Sequence, residues 1–502
     1  MTMRIAILGG EIRRRGLFGS LPRPAYLALG SALAVAFTVW LTVDGQGGAI
    51  SGLLVLAATY GAVNPWSGRR SVAEGWVWAW RWRWRRRAGH TRFVAPAQVR
   101  AHIERAEEQA GRLWRLPVPL GLVEPLKLAG TEYADMFVLR HHNPGEPDYL
   151  SVVLEVQGQA SGLRTDSAYE SASIRYGVML AQLGKAGSHL RGLQQITRIL
   201  PHDPALHRAF IAERVSPRPG LEDVVASYEQ LVDTTARTAE QHRNFLVARF
   251  PLTAAFYEDA AGYGADIAGW AGLVREELAR LADLAARAEL TLPRVLGEQR
   301  TCAVLRSLQD PSWPMDRHEG VRWDTCWQTY HTERDRLVVN DSWHTRVAFL
   351  PREGIAPAPL GPRWLAPLLQ VSPSVIRTIT VRMEFVPDAL ARAKAVADVS
   401  QDGASLIGDA EKGRVDDGTD EVMLSASQRR LRDLAPGSGH QGVDWAMAIS
   451  VTAPGPAELR RACMRVANEA AQSALTDLDW QDTRHDTAAL ATYPLARGMA
   501  VA

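Results

Sequence analysis

Several cysteine and histidine residues in the middle of the chain have the chemistry of metal ligands. Cys326, His331 and His344 could bind zinc by residue type, but their spacing fits no common zinc module and a fourth ligand is missing. Serine, histidine and aspartate are scattered, and no nucleophile-elbow sequence occurs. We therefore expect no catalytic residues, no metal and no cofactor, and we predict that the protein is not an enzyme.

Two glycine patterns bear on nucleotide binding. No Gly-x-x-x-x-Gly-Lys-Ser/Thr phosphate loop occurs in the sequence. Residues 437–442, GSGHQG, match the dinucleotide-binding pattern, but a predicted helix (425–434) precedes them and a predicted strand follows. Phosphate binding needs the amino end of a helix directly after the glycines. We therefore predict an ordinary loop at 437–442.

Two further clusters contain titratable side chains. His141 and His142 are adjacent and could form a pH-sensitive pair, but a solvated strand end is the favoured interpretation. Asp416, Asp417, Asp420 and Glu421 resemble a loose cation-binding loop without the required spacing, so the segment 401–421 is predicted to be a solvated link.

Tryptophan and arginine alternate in the run WVWAWRWRWRRR at 76–87. A strand would place all five tryptophans on one face, whereas a helix would divide them between two sides. Tryptophan prefers the lipid headgroup layer, and each nearby arginine adds about 1 kcal/mol of attraction to anionic lipid. We predict a membrane interface; the less favoured alternative is a single-stranded nucleic acid platform with stacked bases. The predicted interface residues are Trp76, Trp78, Trp80, Trp82, Trp84, Arg81, Arg83, Arg85, Arg86 and Arg87.

Two uncharged apolar stretches precede this run. Residues 25–43 are long enough to cross a hydrocarbon core of roughly 30 Å as a helix, and residues 49–63 form a second, shorter stretch. A buried amphipathic helix is the alternative for the second, but it has no polar face. Because the connection at 44–48 is short, we predict a two-span transmembrane helical hairpin over 25–64.

Charge predicts the orientation of this hairpin. Arginines flank both stretches, while the connection contains Asp44 and no cation. The positive-inside rule then places both termini on the cytoplasmic side of the inner membrane, with residues 1–24 as a cytoplasmic basic tail and 65–92 as the Trp/Arg interface segment. The twin Arg14 and Arg15 resemble an export signal, but the apolar stretch is long for one.

The remaining residues form a large predicted cytoplasmic body. Residues 1–90 carry a net charge of +9 and the rest −7, which argues against binding of duplex DNA. Irregularly alternating strand and helix patterns predict an α+β fold with mostly antiparallel sheets, in a first region at 93–350 and a second at 351–502. No internal repeat is apparent in the sequence. Predicted strands are 135–141, 149–157, 209–214, 244–249, 345–350, 376–384 and 445–452; predicted helices are 99–114, 167–184, 221–242, 266–289, 387–399 and 457–476.

Three segments of the body resemble a family of secretion proteins. They are a helix-to-strand passage at Tyr176-Gly177, Leu180, Leu183, Leu193-Gln194-Gln195-Ile196, Arg198 and Leu200-Pro201, a helix end at Glu240-Gln241-His242-Arg243-Asn244-Phe245-Leu246-Val247, and the segment Tyr493-Pro494-Leu495-Ala496-Arg497-Gly498. In these segments the body is similar to the N-terminal, non-motor portion of the large conjugation ATPase. The hairpin resembles the two-span PrgI-type protein of type IV secretion systems, and the fused layout resembles membrane proteins of actinobacterial conjugation loci.

The resemblance implies a function without a motor. Because the sequence has no phosphate loop, none of the family's ATPase residues is assigned to a position. We expect an inner-membrane scaffold that contacts membrane lipids and docks a separate motor ATPase and other secretion subunits. A homo-oligomer is compatible with this role. Two alternatives stay open: a membrane-tethered enzyme with an unrecognised site, and a membrane-tethered guide for single-stranded DNA.

Overall fold

The structure is a computed structural model of the chain. It describes residues 6–7, 23–42, 45–64, 71–95, 116–143, 147–157, 165–185, 187–201, 211, 213–214, 220–351, 354–356, 358–371, 373–411 and 418–497. The chain divides into two compact units. One comprises residues 10–91; the other comprises residues 1–9 and 92–502 and is called the body below.

The described part of the first unit consists of α1 (Arg23–Thr42), α2 (Gly45–Val63) and α3 (Val72–Arg87). A capping box starts α3, because the Ser71 hydroxyl accepts from the Glu74 amide at 3.2 Å and the Glu74 carboxylate accepts from the Ser71 amide at 3.0 Å. Arginines fill its last turn, where the helix dipole favours positive charge. The Trp/Arg run is therefore a helix, and its tryptophans divide between two sides.

The body combines short and long strands with helices on both faces of a sheet. Its strands are β1 (Ala6–Ile7), β2 (Arg92–Phe93), β3 (Leu122–Pro125), β4 (Val138–His142), β5 (Tyr149–Gln157), β6 (Gly192–Pro201), β7 (Glu240–Pro251), β8 (Thr291–Val295), β9 (Tyr330–Thr332), β10 (Leu337–Val339), β11 (Trp343–Phe349), β12 (Pro359–Leu360), β13 (Ile376–Val386), β14 (Gly442–Ala453) and β15 (Asp479–Trp480). Its helices are α4 (Asp166–Leu183), α5 (Glu222–Thr238), α6 (Ala254–Ala260), α7 (Asp266–Arg287), α8 (Glu298–Gln309), α9 (Ala366–Leu369), α10 (Asp388–Glu411), α11 (Thr419–Asp433), α12 (Pro456–Gln472) and α13 (His485–Ala489).

Thirteen of the described strands form one sheet, and their pairings are antiparallel. The strand order is β2-β9-β10-β11-β14-β13-β6-β7-β5-β4-β3, with β15 beside β11 and β8 beside β5; β1 pairs with β12 separately. The predicted mixture of helices with mostly antiparallel strands is confirmed. Both predicted regions, 93–350 and 351–502, contribute strands to this single sheet.

The strand order contains an internal repeat. In the first half, β3-β4-β5 is a meander, and the next two strands follow so that β7 lies between β5 and β6. In the second half, β9-β10-β11 is a meander, and β14 lies between β11 and β13 in the same way. The halves, 122–309 and 330–489, meet where β6 pairs with β13. No repeat is apparent in the sequence, so the duplication is visible only in the topology.

The helices repeat as well. α7 follows β7 and α12 follows β14, and both pack on the face of the sheet that carries the odd-numbered residues of β13. After each helix a non-glycine residue adopts the left-handed conformation, Glu289 or Ala474, each with φ of 56°. The amide of the following leucine, Leu290 or Leu475, then donates to a carbonyl in the last turn. The same helix end recurs at equivalent positions, which supports a duplicated architecture.

The opposite face of the sheet covers a second core. Ile196 of β6 and Phe245 of β7 pack there against α8 and against the C-terminal segment 488–496. Two fully buried arginines lie in the central strands. Arg377 donates to both carboxylate oxygens of Glu240, at 2.7 and 2.9 Å. Arg198 has no such carboxylate in the described hydrogen bonds; it lies 3.5 Å from the Ser307 carbonyl near the negative end of α8.

Three sequence-based assignments in the body are wrong. The predicted helix 221–242 ends at Thr238, because the residues from Glu240 onward pair with β6 at the centre of the sheet. The predicted link 401–421 is helical through Glu411, since α10 and α11 pack as a helical pair. Described residues 211, 213 and 214 are helical where a strand was predicted. The predicted helix 99–114 lies outside the described residues.

Candidate membrane-anchoring site

Large apolar side chains are exposed along both α1 and α2. Soluble proteins rarely expose continuous apolar surface, whereas helix surfaces that contact lipid tails are apolar. The outer surface of this helix pair is therefore suited to lipid. The exposed side chains are Leu27, Leu33, Val35, Phe37, Trp40 and Leu41 of α1 and Ile50, Leu53, Leu54 and Tyr60 of α2.

Four hydroxyl groups on these helices are bonded to their own backbone, those of Ser31, Thr38, Thr42 and Thr59. Thr38 donates to the Ala34 carbonyl at 2.9 Å, and Thr59 donates to the Val55 carbonyl at 2.8 Å. Ser31 bonds in the same way one turn back. In a hydrocarbon environment every polar group needs an internal partner, and these hydroxyls have one without water.

Small residues line the contact between α1 and α2. Ala32 and Ala36 of α1 and Gly48 and Gly52 of α2 are buried, each pair spaced by four residues. A Cβ atom on Gly52 would lie 3.0 Å from the Ala36 carbonyl oxygen, so the helix backbones approach closely at this point. Small residues at this spacing are typical of helix contacts in membranes. These small residues were not among the predicted site residues, although their four-residue spacing is visible in the sequence.

Helix α2 has the length and hydropathy of a membrane span, whereas the apolar part of α1 is shorter. Gln46–Val63 is the one helix in the described part of the chain that is long and apolar enough to cross a membrane, with mean hydropathy of 1.3. Tyr26–Thr42 is a shorter apolar helix. Two spans therefore stay a prediction.

The tryptophans of α3 lie on two sides of the helix. Trp76, Trp80 and Trp84 follow each other at four-residue spacing and are 78%, 67% and 59% exposed. Trp78 and Trp82 are half-buried on the other side. Residues four apart share a helix face. The predicted interface thus divides into an exposed Trp face and a half-buried one.

The arginines of α3 also lie on both sides of the helix. Arg81 lies over the Trp78 ring and Arg86 over the Trp82 ring, with guanidinium-to-centroid distances of 5.5 and 5.4 Å. These cation–π contacts reinforce the half-buried side. By helical spacing, Arg83 and Arg87 share the side of Trp80. The exposed face therefore combines aromatic rings with positive charge.

The residues considered above as metal or phosphate ligands belong to the body, outside helices α1 to α3. Within the described residues no group of three or more metal-ligating side chains occurs. Cys326 is buried, which raises the pKa of its thiol, and its sulfur donates to the Trp323 carbonyl. Residues 437–441 form a loop between α11 and β14, as predicted, with Gly437 and Gly439 at positive φ, and Gly442 is the first residue of β14. Residues 416–417 lie outside the described part, while Asp420 belongs to α11.

His141 is not a solvated strand end. Its side chain is fully buried, stacked on Tyr149 at 4.3 Å, with Nε2 2.8 Å from the Ser151 hydroxyl. Burial, followed by the charges of Arg497 and Arg249, lowers the pKa of His141 well below its usual value. His142 does lie exposed, beside Asp148.

The His141 cluster is covered by the chain itself. The Tyr149 hydroxyl donates to the Leu495 carbonyl at 3.1 Å. Gln194, buried in β6, donates to the carbonyls of Ala491 and Tyr493 and accepts from the Ala496 amide. The Gln194 side-chain amide thus makes the backbone hydrogen bonds with the C-terminal segment that a neighbouring strand would otherwise make. This cluster holds a peptide segment in place, and the side chains of His141 and Ser151 are both buried.

The chain matches no protein-family model, and no curated protein is significantly similar to it.

Proposed function

We propose that the protein is an inner-membrane scaffold subunit of a conjugation or type IV secretion-like machine. Helices α1 and α2 form a two-span hairpin with both termini on the cytoplasmic side. The body docks a separate motor ATPase and other secretion subunits at the membrane surface.

One observation carries this proposal: the apolar side chains of α1 and α2 point outward while their hydroxyls bond inward to the backbone. Such a surface is unfavourable in water and favourable in lipid. Helix α3, with exposed tryptophans and arginines, follows in the chain and suits the headgroup layer. These features together support an anchoring role for the first unit.

Charge and chemistry support a docking role for the body. Its net negative charge suits a structure held near an anionic bilayer without lying flat on it, because like charges repel. Its most enzyme-like pair, His141 and Ser151, is buried under the C-terminal segment. A surface for partners therefore accounts for the body better than a catalytic cleft does.

Co-expression with a motor ATPase of the conjugation type tests the proposal. We expect the ATPase to sediment with membranes when the full chain is present and to stay soluble without it. The matched control is a chain that lacks residues 10–91, which should bind the ATPase without bringing it to membranes.

A soluble ATPase in the presence of the membrane-bound full chain would contradict the scaffold role. Reporter fusions at Gly47 and Ala502 test the orientation; an external C-terminus would refute the hairpin topology. Tight binding of single-stranded DNA by the full chain at physiological salt would favour the guide alternative.

A further inference from the structure

Arg198 of β6 differs from the buried arginines of the neighbouring strand β13. Arg377 donates to both carboxylate oxygens of Glu240, and Arg382 donates to the carboxylate of Glu384. Arg198 is just as deeply buried, but among the residues that the structure describes no carboxylate forms an ion pair with it. Buried charges are normally paired, because an isolated charge is costly to remove from water.

One edge of the Arg198 guanidinium lacks a good acceptor. Its Nη1 donates to the Thr378 hydroxyl at 2.9 Å. Its Nη2 lies 3.5 Å from the Ser307 carbonyl oxygen, which is long for a hydrogen bond, and its Nε has no partner within the described residues. Nε and Nη2 together form the edge of a guanidinium that binds an anion through two parallel hydrogen bonds. This edge of Arg198 is therefore unfilled.

The described surroundings of Arg198 supply no full negative charge. Burial lowers the pKa of Arg198 to about 10, so the side chain is still protonated at neutral pH. The phenol of the neighbouring Tyr493 is neutral, because burial raises its pKa. The C-terminal end of α8, where Ser307 lies, supplies only about half a negative charge.

Arg243 lies opposite Arg198 on β7 and has its own counter-charges. It donates to the Glu155 carboxylate at 2.7 Å and to the Asp316 carboxylate at 3.0 and 3.1 Å. Arg300 of α8 also donates to Asp316, at 2.8 Å. Two arginines and two carboxylates balance each other in this group, so it leaves no negative charge for Arg198.

A second buried donor lies on the same face of β13. Thr378 pairs with Arg198 and Thr380 pairs with Ile196, so Thr380 is a diagonal neighbour of Arg198. Diagonal neighbours in a sheet lie about 7–8 Å apart, which a long arginine side chain can span. Thr380 is fully buried, and its hydroxyl has no hydrogen-bond partner among the described residues. A buried guanidinium edge and a buried hydroxyl without partners indicate a polar ligand between them.

We propose that the body binds a small monovalent anion, such as chloride, at the Nε–Nη2 edge of Arg198, with the Thr380 hydroxyl as a second donor. The single uncompensated charge favours a monovalent anion over sulfate or phosphate, and the complete burial of both side chains favours a small one. This inference does not depend on the proposed scaffold function, since it concerns the interior of the body.

Thermal unfolding of the full chain in a non-ionic detergent tests the proposal. Chloride replaces gluconate stepwise at constant ionic strength; gluconate has the same charge but is much larger. An anion that binds only the folded state stabilises it in proportion to the logarithm of its concentration, once that concentration exceeds the dissociation constant. We therefore expect the unfolding temperature to rise with the logarithm of the chloride concentration.

Two variants assign the effect to one arginine. Arg198→Met keeps much of the side-chain length and removes the charge, so it should abolish the shift in unfolding temperature between gluconate and chloride. The matched control Arg243→Met removes an arginine at the opposite position on β7 and should retain the full shift. No shift in the natural chain, or equal shifts in the two variants, would overturn the proposal.

A direct measurement covers the case in which Arg198→Met fails to fold. Crystals of the natural chain grown with bromide in place of chloride should show an anomalous-scattering peak beside the Arg198 guanidinium, because bromide has the same charge and a similar size. Density of a water molecule without an anomalous signal at this position would show that water fills the edge, and the anion proposal would be wrong.

Discussion

The surroundings of the buried His141 side chain oppose a positive charge on its ring. His141 accepts or donates to Ser151 and stacks on Tyr149, while the positive charges of Arg249 and Arg497 lie nearby. An imidazolium ion at this position would be desolvated and repelled. The fold therefore holds His141 neutral.

A pH dependence follows from this lowered pKa. Below the usual histidine pKa of about 6.5, the unfolded chain takes up a proton that folded His141 does not. The free energy of unfolding should therefore decrease as the pH is lowered, by up to about 1.4 kcal/mol per pH unit. His485 is also buried, which lowers its pKa and adds an effect of the same sign. Unfolding of the full chain in detergent between pH 7.5 and 5 measures this slope.

The variant His141→Gln isolates the contribution. Its destabilisation relative to the natural chain should shrink as the pH falls, because the natural chain loses the benefit of a neutral histidine. Parallel stability curves for the two proteins would show that His141 does not titrate as argued.

At the scale of elements, helix α3 divides one run of alternating tryptophan and arginine between two helix faces. Trp76 and Trp80 are exposed, while Trp78 and Trp82 lie under Arg81 and Arg86. The exposed pair is free to enter a headgroup layer. The half-buried pair is covered by arginines of the same helix.

Paired substitutions distinguish the two sides. In a chain that begins at Ser71, Trp76→Ala/Trp80→Ala should lose most of the salt-resistant binding to anionic liposomes, whereas Trp78→Ala/Trp82→Ala should retain it. Both should still release partly as salt rises, because the arginines remain. Vesicle flotation over a salt series measures the difference. Equal losses would contradict the assignment of faces, and preferred binding of single-stranded DNA would contradict the interface itself.

At the scale of the whole molecule, the two halves of the body share their central strands. Eight residue pairs join β6 to β13, and the C-terminal segment of the second half covers β6 through Gln194. Neither half therefore buries its own core completely. We infer that the body folds as one unit despite its repeated topology.

Cleavage between the halves tests this. A protease site inserted at the exposed turn around Gly320, between α8 and β9, should be cut in the folded protein. The two fragments should then elute together in native buffer with detergent and separate only in denaturant. Separation without denaturant would mean that the halves are independent domains. An uncut chain would show that the turn is protected.

The sequence alone determined the features that depend on local pattern. Uncharged stretches became helices α1 and α2, and the periodic segments at 167–184, 266–289 and 457–476 became helices within a few residues. The antiparallel class also followed from local signals, because strand patterns such as those of the neighbouring, antiparallel β4 and β5 are encoded by adjacent residues.

Only the tertiary structure decided the features that depend on distant residues. Glu240 begins a strand and not a helix end because β6 and Arg377 hold it, and the helix at 401–411 forms because α11 covers it. His141 changed from a solvated residue to a buried one because Tyr149 and the C-terminal segment lie over it. The internal repeat was likewise invisible, since its halves share strand order and helix ends while few side chains are the same. Strand pairing and burial are set by contacts across hundreds of residues, and no local pattern carries that information.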